Sequence, residues 1–423
     1  MTLLFTLWGT NLTKYAEFRL QLICLILGLA TIAALLVNPT GISAAAASTG
    51  PVGGAVSIMP TRILDTRTTS GPVPGGGTVS VRISGAHGFP YGTQAVVVNI
   101  TATEPTASGF LTAYHSGVSK PPTSNVNFGR GQTVANLAIV EVGNDDHITI
   151  ANTSAGSVHI VLDASAYFGI AGSWDAPGSY RPLALKRALD TRTSTGPVAG
   201  GGNVLLRVGD VPEVPSNAAA VVVNLTVTEP TSNGFISVYP TGSSKPNISN
   251  QNYGQGQTIP TLAVVPVGPD GTVTIANSSS GTIQIVVDVF GFFLRGTPST
   301  AGAFAAIAPK RFLDTRTFRG PAVNAEAVPV QVAGVNGVPA NAKGVWVNLT
   351  VTESTTFGYF EARGHWAPFS FTSNLNFDRR QTIANMAYVT IGRDGKIEIQ
   401  ALLNQVPRLE TTHVIADIFG YTL

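Results

Sequence analysis

The chain has 423 residues, of which 11% are charged and 44% hydrophobic, with 46 glycines and a formal net charge of +2. That balance excludes a solvated disordered chain, which needs high net charge and low hydrophobicity. The lack of any basic run argues against nucleic acid as a partner. β-Branched and turn-forming residues stand where Lys, Glu and Gln would stand in a helical protein, so the composition predicts an all-β chain.

In chain order, Lys14 and Arg19 precede an apolar stretch from Leu20 to Val37, followed by Pro39, Gly41 and the small-residue run from Ser43 to Ser48. This is the charged, apolar and small-residue order of a secretory signal, and residues 1–47 read as a signal peptide. The apolar stretch approaches the ~20 residues that span a bilayer. An uncleaved anchor is therefore the alternative, and the only route to a membrane contact. Cys24, the sole cysteine, lies inside this stretch, so the mature chain lacks disulfides and thiol chemistry. Residues 48–58 read as a linker.

The rest of the chain repeats itself three times. Asp65, Asp190 and Asp314 sit in "RILDTRT", "RALDTRT" and "RFLDTRT". "VVVNITATEPTASGF" from Val96 returns from Val221 and, as "VWVNLTVTESTTFGY", from Val345. "SNVNF", "SNQNY" and "SNLNF" follow, then an apolar strand around Asp163, Asp288 and Asp417. The third copy carries extra residues before Asp417, in "LLNQVPRLETTH". A period of about 110–125 residues is the size of a whole small β-domain. The copies are placed at 59–170, 183–295 and 308–423, with Gly/Pro/Ser-bearing linkers at 170–182 and 294–307. Within copy 1, eight strands are predicted: the LDTRT stretch, then runs beginning at Thr78, Ala95, Phe110, the SNVNF segment, Thr133, His147 and Val158. Eight short strands with turns between them predict three tandem β-sandwich modules, jelly-roll or Ig-like, either in a linear array or packed around a pseudo-threefold axis as one body.

Five ionisable positions recur: Arg62, Asp65, Arg67, Glu104 and Asp163; Arg187, Asp190, Arg192, Glu229 and Asp288; Arg311, Asp314, Arg316, Glu353 and Asp417. Two positive and three negative charges per copy suit internal pairing. Asp65 and Arg67, two apart, would share one strand face. Asp163 lies amid Val161, Leu162 and Ala164, where an unpaired carboxylate is costly and an Arg fork fits. The expectation is a structural latch of the Arg and Asp residues tying the first strand to the last, with Asn99 and Asn125 satisfying backbone groups. A catalytic set built from paired carboxylates, Glu104 with Asp65 or Asp163, competes with it. Three near-identical tandem active sites would be unusual.

Other chemistry finds little support. The six histidines are read as following no repeated position, so neither a metal site nor a Ser-His triad is expected. No cofactor is expected. The Asp145-Asp146 loop reads as a hairpin turn, Asn99, Asn224 and Asn348 as sequons inside apolar strands, and Phe110 as core rather than a sugar platform.

The LDTRT opening, the VVxNxTxTEPT strand, the SNxNF segment with its following Gln-Thr, and the closing apolar Asp strand together resemble the LDTR-type β-repeat modules of secreted actinobacterial cell-envelope proteins. The resemblance spans about 59–423 in three copies. It implies export, a cell-wall or extracellular setting and an accessory role beside peptidoglycan-cleaving domains, and it carries over no catalytic residue. The expectation is an exported, non-catalytic protein, secreted or at the cell surface, with an attachment or structural role. Its partners would be cell-wall polysaccharide, peptidoglycan or other surface proteins, through weak multivalent contacts. The alternative is a secreted carbohydrate-active hydrolase using the repeated Asp and Glu residues.

Overall fold

A computed structural model describes residues 54–169, 176–404 and 410–423. The expected signal segment at 1–47 lies outside the described residues, as do most of the 48–58 linker and part of the copy-3 insertion. The described residues form twenty-five β-strands and no α-helix. The all-β expectation holds.

Copy 1 contributes β1 (Ala55–Asp65), β2 (Thr78–Arg82), β3 (Ala95–Thr103), β4 (Gly109–His115), β5 (Val126–Phe128), β6 (Val134–Glu141), β7 (His147–Ser154) and β8 (His159–Phe168). Copy 2 follows with β9 (Tyr180–Asp190), β10 (Asn203–Arg207), β11 (Ala220–Thr228), β12 (Gly234–Pro240), β13 (Gln251–Tyr253), β14 (Ile259–Pro266), β15 (Thr272–Ser279) and β16 (Gln284–Phe293). Copy 3 has β17 (Phe304–Asp314), a short β18 (Ala322–Val323), β19 (Ala327–Gln331), β20 (Gly344–Thr352), β21 (Gly358–Gly364), β22 (Leu375–Phe377), β23 (Ile383–Thr390), β24 (Lys396–Leu403) and β25 (Thr411–Thr422).

Each copy builds two antiparallel sheets. In copy 1 their orders are β1-β8-β3-β6 and β2-β7-β4-β5, and copies 2 and 3 repeat them. Six sheets is the count of a six-bladed propeller. Here, however, each sheet draws strands from across its repeat rather than from four in succession.

Strands two to eight of copy 1 lie where predicted. The first differs: β1 starts at Ala55 and stops at Asp65, so Thr66 to Thr69 form a turn. Asp65 itself ends the strand. Its carboxylate accepts the Arg67 amide at 3.1 Å, and its carbonyl accepts the Thr69 hydroxyl at 2.8 Å. Asx-type bonding of this kind bends the chain out of a ladder. Asp65 and Arg67 therefore meet across a turn and not along one strand face.

Of the two arrangements the sequence left open, the three copies do not form a linear array held apart by linkers. The described residues from 54 to 423 fall in one compact unit. The described parts of the supposed linkers, 176–182 and 294–307, belong to it: β9 and β17 begin at Tyr180 and Phe304, earlier than 183 and 308. The Ala55 amide donates to Gly302 O at 2.9 Å and the Phe304 amide to Gly178 O at 3.0 Å. The physical reason lies in β3, β11 and β20, where all nine residues are buried. A strand with one wet face would alternate; a strand buried on both faces reads as a continuous apolar run. Val96, Val98 and Ile100 pack on Leu111, Ile148 and Ile150 of the facing sheet of the same copy. Ala95 and Val97 turn the other way, into a core shared with Val222, Leu262, Phe293, Phe304, Trp346 and Tyr388 of the other copies. There the Phe293 and Phe304 rings stack at 4.1 Å, and Trp346 meets Tyr388 at 4.9 Å. Strands β6, β14 and β23 touch one another pairwise, one from each copy.

Candidate functional site

Arg62 lies directly opposite Asp163 on the β1–β8 pair, as does Arg187 opposite Asp288 and Arg311 opposite Asp417. Each guanidinium forks onto its carboxylate, at 2.8 and 3.1 Å in copy 1, 2.5 and 3.3 Å in copy 2, and 2.9 and 3.1 Å in copy 3. The same arginines reach Asp65, Asp190 and Asp314 at 3.4, 3.2 and 3.0 Å. Those aspartates in turn take a second fork from Arg67, Arg192 and Arg316, with the closest contacts at 2.7, 2.6 and 2.7 Å. All twelve predicted latch residues thus join three equivalent chains of alternating charge.

The electrostatics differ along each chain. The Arg67 fork holds the Asp65 carboxyl below its usual range, and Arg192 and Arg316 do the same for Asp190 and Asp314. Burial pushes Asp288 and Asp417 upward, against the pull of Arg187 and Arg311.

Sequence reasoning missed the second task of this row. Asn99 lies opposite Asp163 on β3, so Arg62, Asp163 and Asn99 line up across three strands. They face the loop before β22 in copy 3. Arg62 donates to Phe371 O at 3.0 Å, Asn99 donates to Ser373 O, and the Ser373 amide approaches Asp163 at 3.4 Å. Copy 2 faces copy 1 in the same way, with Arg187 on Pro122 O at 3.4 Å and Asn224 on Ser124 O at 2.7 Å. Asn348 of copy 3 closes the circle on Ser249 O of copy 2 at 2.6 Å. The repeated polar residues hold each copy together and hold the copies to one another.

A further asparagine, on β6 and β23, serves two junctions. Asn136 donates to Asn125 O at 2.6 Å and to Asn224 Oδ1 at 3.2 Å, and accepts the Leu262 amide at 3.0 Å. Asn385 donates to Asn374 O at 2.6 Å and to Asn99 Oδ1 at 3.0 Å, and accepts the Leu137 amide at 3.2 Å. Copy 2 carries Thr261 at this position, and Asn348 Oδ1 is left buried without a partner.

Several sequence readings shift. Asn125 serves backbone of its own copy, accepting the Ala113 amide at 2.7 Å, and Asn99 serves backbone of another, donating to Ser373 O. His159 and His413 share one repeat position, which Gln284 fills in copy 2, contrary to the expectation of no repeated histidine. They contact the Thr66 and Thr315 hydroxyls at 3.1 and 2.9 Å, and Gln284 accepts from Thr191 at 2.6 Å. Phe110 is half-buried under Lys120 at 5.5 Å, outside the core. Glu104, Glu229 and Glu353 are exposed, at left-handed φ values of 52°, 53° and 54°.

Copy 3 also departs from the other two along one wall. Glu361, Arg363, His365 and Glu398 stand where copies 1 and 2 have Thr112, Tyr114, Ser116 and Thr149, or Ser237, Tyr239, Thr241 and Thr274. Arg363 bridges Glu361 at 3.3 Å and Glu398 at 2.6 Å, and donates to Ala367 O at 3.1 Å. Glu361 also accepts the Ser370 amide at 2.9 Å. His365 contacts Asp394 at 2.6 Å, and its ring lies 4.2 Å from that of Trp366. Arg363, His365 and Trp366 line a cleft of about 630 Å³ whose far wall is Ser57 to Pro60 and Ser165 of copy 1. The signal for this site was present in the sequence as a break in the repeat, rather than as a repeated motif.

No protein-family model matches the chain, and no curated protein matches it. Among solved structures the chain is similar to a chain from "The Triple Jelly Roll Fold and Turret Assembly in an Archaeal Virus", at 10% identity and TM-score 0.21, over 88% of this chain and 90% of that one. It is also similar to a chain from "Life in the extremes: atomic structure of Sulfolobus Turreted Icosahedral Virus", at 10% identity and TM-score 0.20, over 87% and 92%. Scores this low bear on neither fold nor role. The coordinates define an all-β protein of three repeats closed into one body, with one junction cleft unlike the others.

Proposed function

We propose that the chain is a non-catalytic attachment protein that works outside the cell membrane, secreted or held at the cell surface, with cell-wall polysaccharide or peptidoglycan as its partner. Each copy is read as a jelly-roll sandwich. The strand orders 1-8-3-6 and 2-7-4-5, with one core between the two sheets, favour that reading over two propeller blades, which are built of sequential strands. The export pattern in residues 1–47 favours the compartment.

The observation that carries the proposal is the use of the recurring charges. Asp65 and Asp163, with their counterparts, are forked by arginines, while Arg62, Arg187 and the row asparagines Asn99, Asn224 and Asn348 bind the neighbouring copy. A hydrolase needs two carboxylates free to flank a glycosidic bond. Here the repeated aspartates are committed, and the repeated glutamates stand exposed in turns. What remains is a surface with a cleft at each junction between copies, suited to holding a polymer.

The test is sedimentation of purified residues 49–423 with insoluble peptidoglycan, chitin and cellulose. Retention on one polymer, competed by its soluble fragments, supports attachment. No retention on any of them would replace it with a structural-subunit role, to be examined by self-assembly.

A further inference from the structure

We infer that the cleft between copies 3 and 1 is a saccharide-binding site, in which a pyranose ring stacks on Trp366 and hydrogen-bonds to the polar wall around Arg363 and His365. This rests on the attachment reading and locates it at one junction of the three.

The repeat supplies an internal comparison. Each junction forms a cleft where the loop after the fourth strand of one copy meets the first strand of the next: Tyr114 to Pro121 against Leu183, Tyr239 to Asn247 against Pro309 and Lys310, and Arg363 to Pro368 against Met59 and Pro60. The same scaffold closes in all three, so folding does not require what is peculiar to the third. There, neutral Thr, Ser and Tyr residues give way to a buried set of Glu361, Arg363 and Glu398, at 0, 8 and 6% exposure. Burying charges is unfavourable unless they are well paired, and the two neutral versions show that the position does not need them.

Trp366 is the second departure. It is 82% exposed, and its φ is 65°, a left-handed backbone that bulky residues avoid. The equivalent residues are Gly117 and Gly242, at 85° and 87°. A tryptophan that is exposed and held in a glycine conformation contributes nothing to the core, and strain of this kind gathers at ligand sites. His365 packs against one side of the indole. On the same rim, Arg393 is exposed and makes no hydrogen bond or ion pair among the described residues. In the far wall, the Ser165 hydroxyl is buried with no partner. A flat apolar ring beside fixed donors and acceptors matches a pyranose, which offers a C–H face and a rim of hydroxyls.

The test is isothermal titration of residues 49–423 with four-sugar fragments of chitin, cellulose and the peptidoglycan glycan strand, alongside Trp366→Gly and Tyr114→Ala variants. The expected result is one site per chain for one fragment, weakened at least tenfold by Trp366→Gly and unchanged by Tyr114→Ala. Because glycine suits the φ at 366, the melting temperature of that variant should not fall, which separates lost binding from lost folding. Undiminished binding by Trp366→Gly would overturn this placement while leaving polymer attachment standing. A wild-type chain that binds no fragment yet sediments with polymer would also overturn it. Binding of a proline-rich peptide at Trp366, with no saccharide bound, would assign the cleft to protein instead. Failure of both sedimentation and titration would remove the attachment reading itself.

Discussion

The junction asparagines permit a reciprocal experiment. Asn136→Thr would make the copy 1–2 junction resemble the copy 2–3 junction, and Thr261→Asn would do the reverse. Asn136 makes three bonds, at 2.6, 3.2 and 3.0 Å, to Asn125 O, Asn224 Oδ1 and the Leu262 amide. At about 1 kcal/mol net for each bond, with more where a buried partner is left unpaired, Asn136→Thr should cost roughly 2–4 kcal/mol. Asparagine at 261 would offer a donor to Asn348 Oδ1, now buried and unpaired, and to Asn250 O, and an acceptor to the Met386 amide. Thr261 makes only a 3.4 Å contact to Leu262 O, so little is lost. Ordering a new side chain offsets part of the gain, leaving about 1–2 kcal/mol, or a few degrees in melting temperature. Differential scanning calorimetry of the two variants and their double measures both signs. If Thr261→Asn leaves the transition unmoved or lowers it, the junction bonds contribute nothing net and the reasoning fails.

Three further outcomes are expected. Asp288→Ala should destabilise by about 3 kcal/mol, near the low end for breaking a buried ion pair because Arg187 is partly exposed; a loss under 1 kcal/mol in urea titration would contradict the latch. For acid stability, Asp65, Asp190 and Asp314 have folded-state values held down by Arg67, Arg192 and Arg316. Their stabilisation is therefore complete above the unfolded aspartate value of about 3.9 and is lost as pH falls below it, through the depressed folded values. Asp288 and Asp417, raised by burial, act oppositely. A triple Asp→Asn variant at 65, 190 and 314 should show a shallower acid limb in stability-versus-pH curves; an unchanged limb would exclude these pairs as its source. In the shared core, Trp346 is buried with its indole N–H unpartnered, so Trp346→Phe should cost under about 1.5 kcal/mol while Trp346→Ala costs roughly 3–5. Equal losses in thermal melts would show that the ring volume is not what the core needs.

Periodicity, turn residues and the threefold echo of RxLDTRT determined the strand content, and the charge pattern pointed to Arg–Asp pairs tying the first strand of each copy to the last. These are local or internal quantities: a buried aspartate in an apolar strand demands a cation, and duplication keeps both partners in step. What the sequence left undecided is what faces what across the chain. The strands β3, β11 and β20 are covered on both faces, and only the tertiary structure showed that the second cover is the other copies. Asn99 was legible as a ligand for backbone; that the carbonyl it binds is that of Ser373, far along the chain, was not. The copy-3 cleft was hidden for the opposite reason. Repeat comparison highlights what stays the same, and Glu361, Arg363, His365 and Trp366 matter together because β21, β24 and the next copy's first strand bring them to one wall. Pairing within a repeat can be read from composition and register; pairing between repeats depends on how three twisted sheets close on one another, which no single segment encodes.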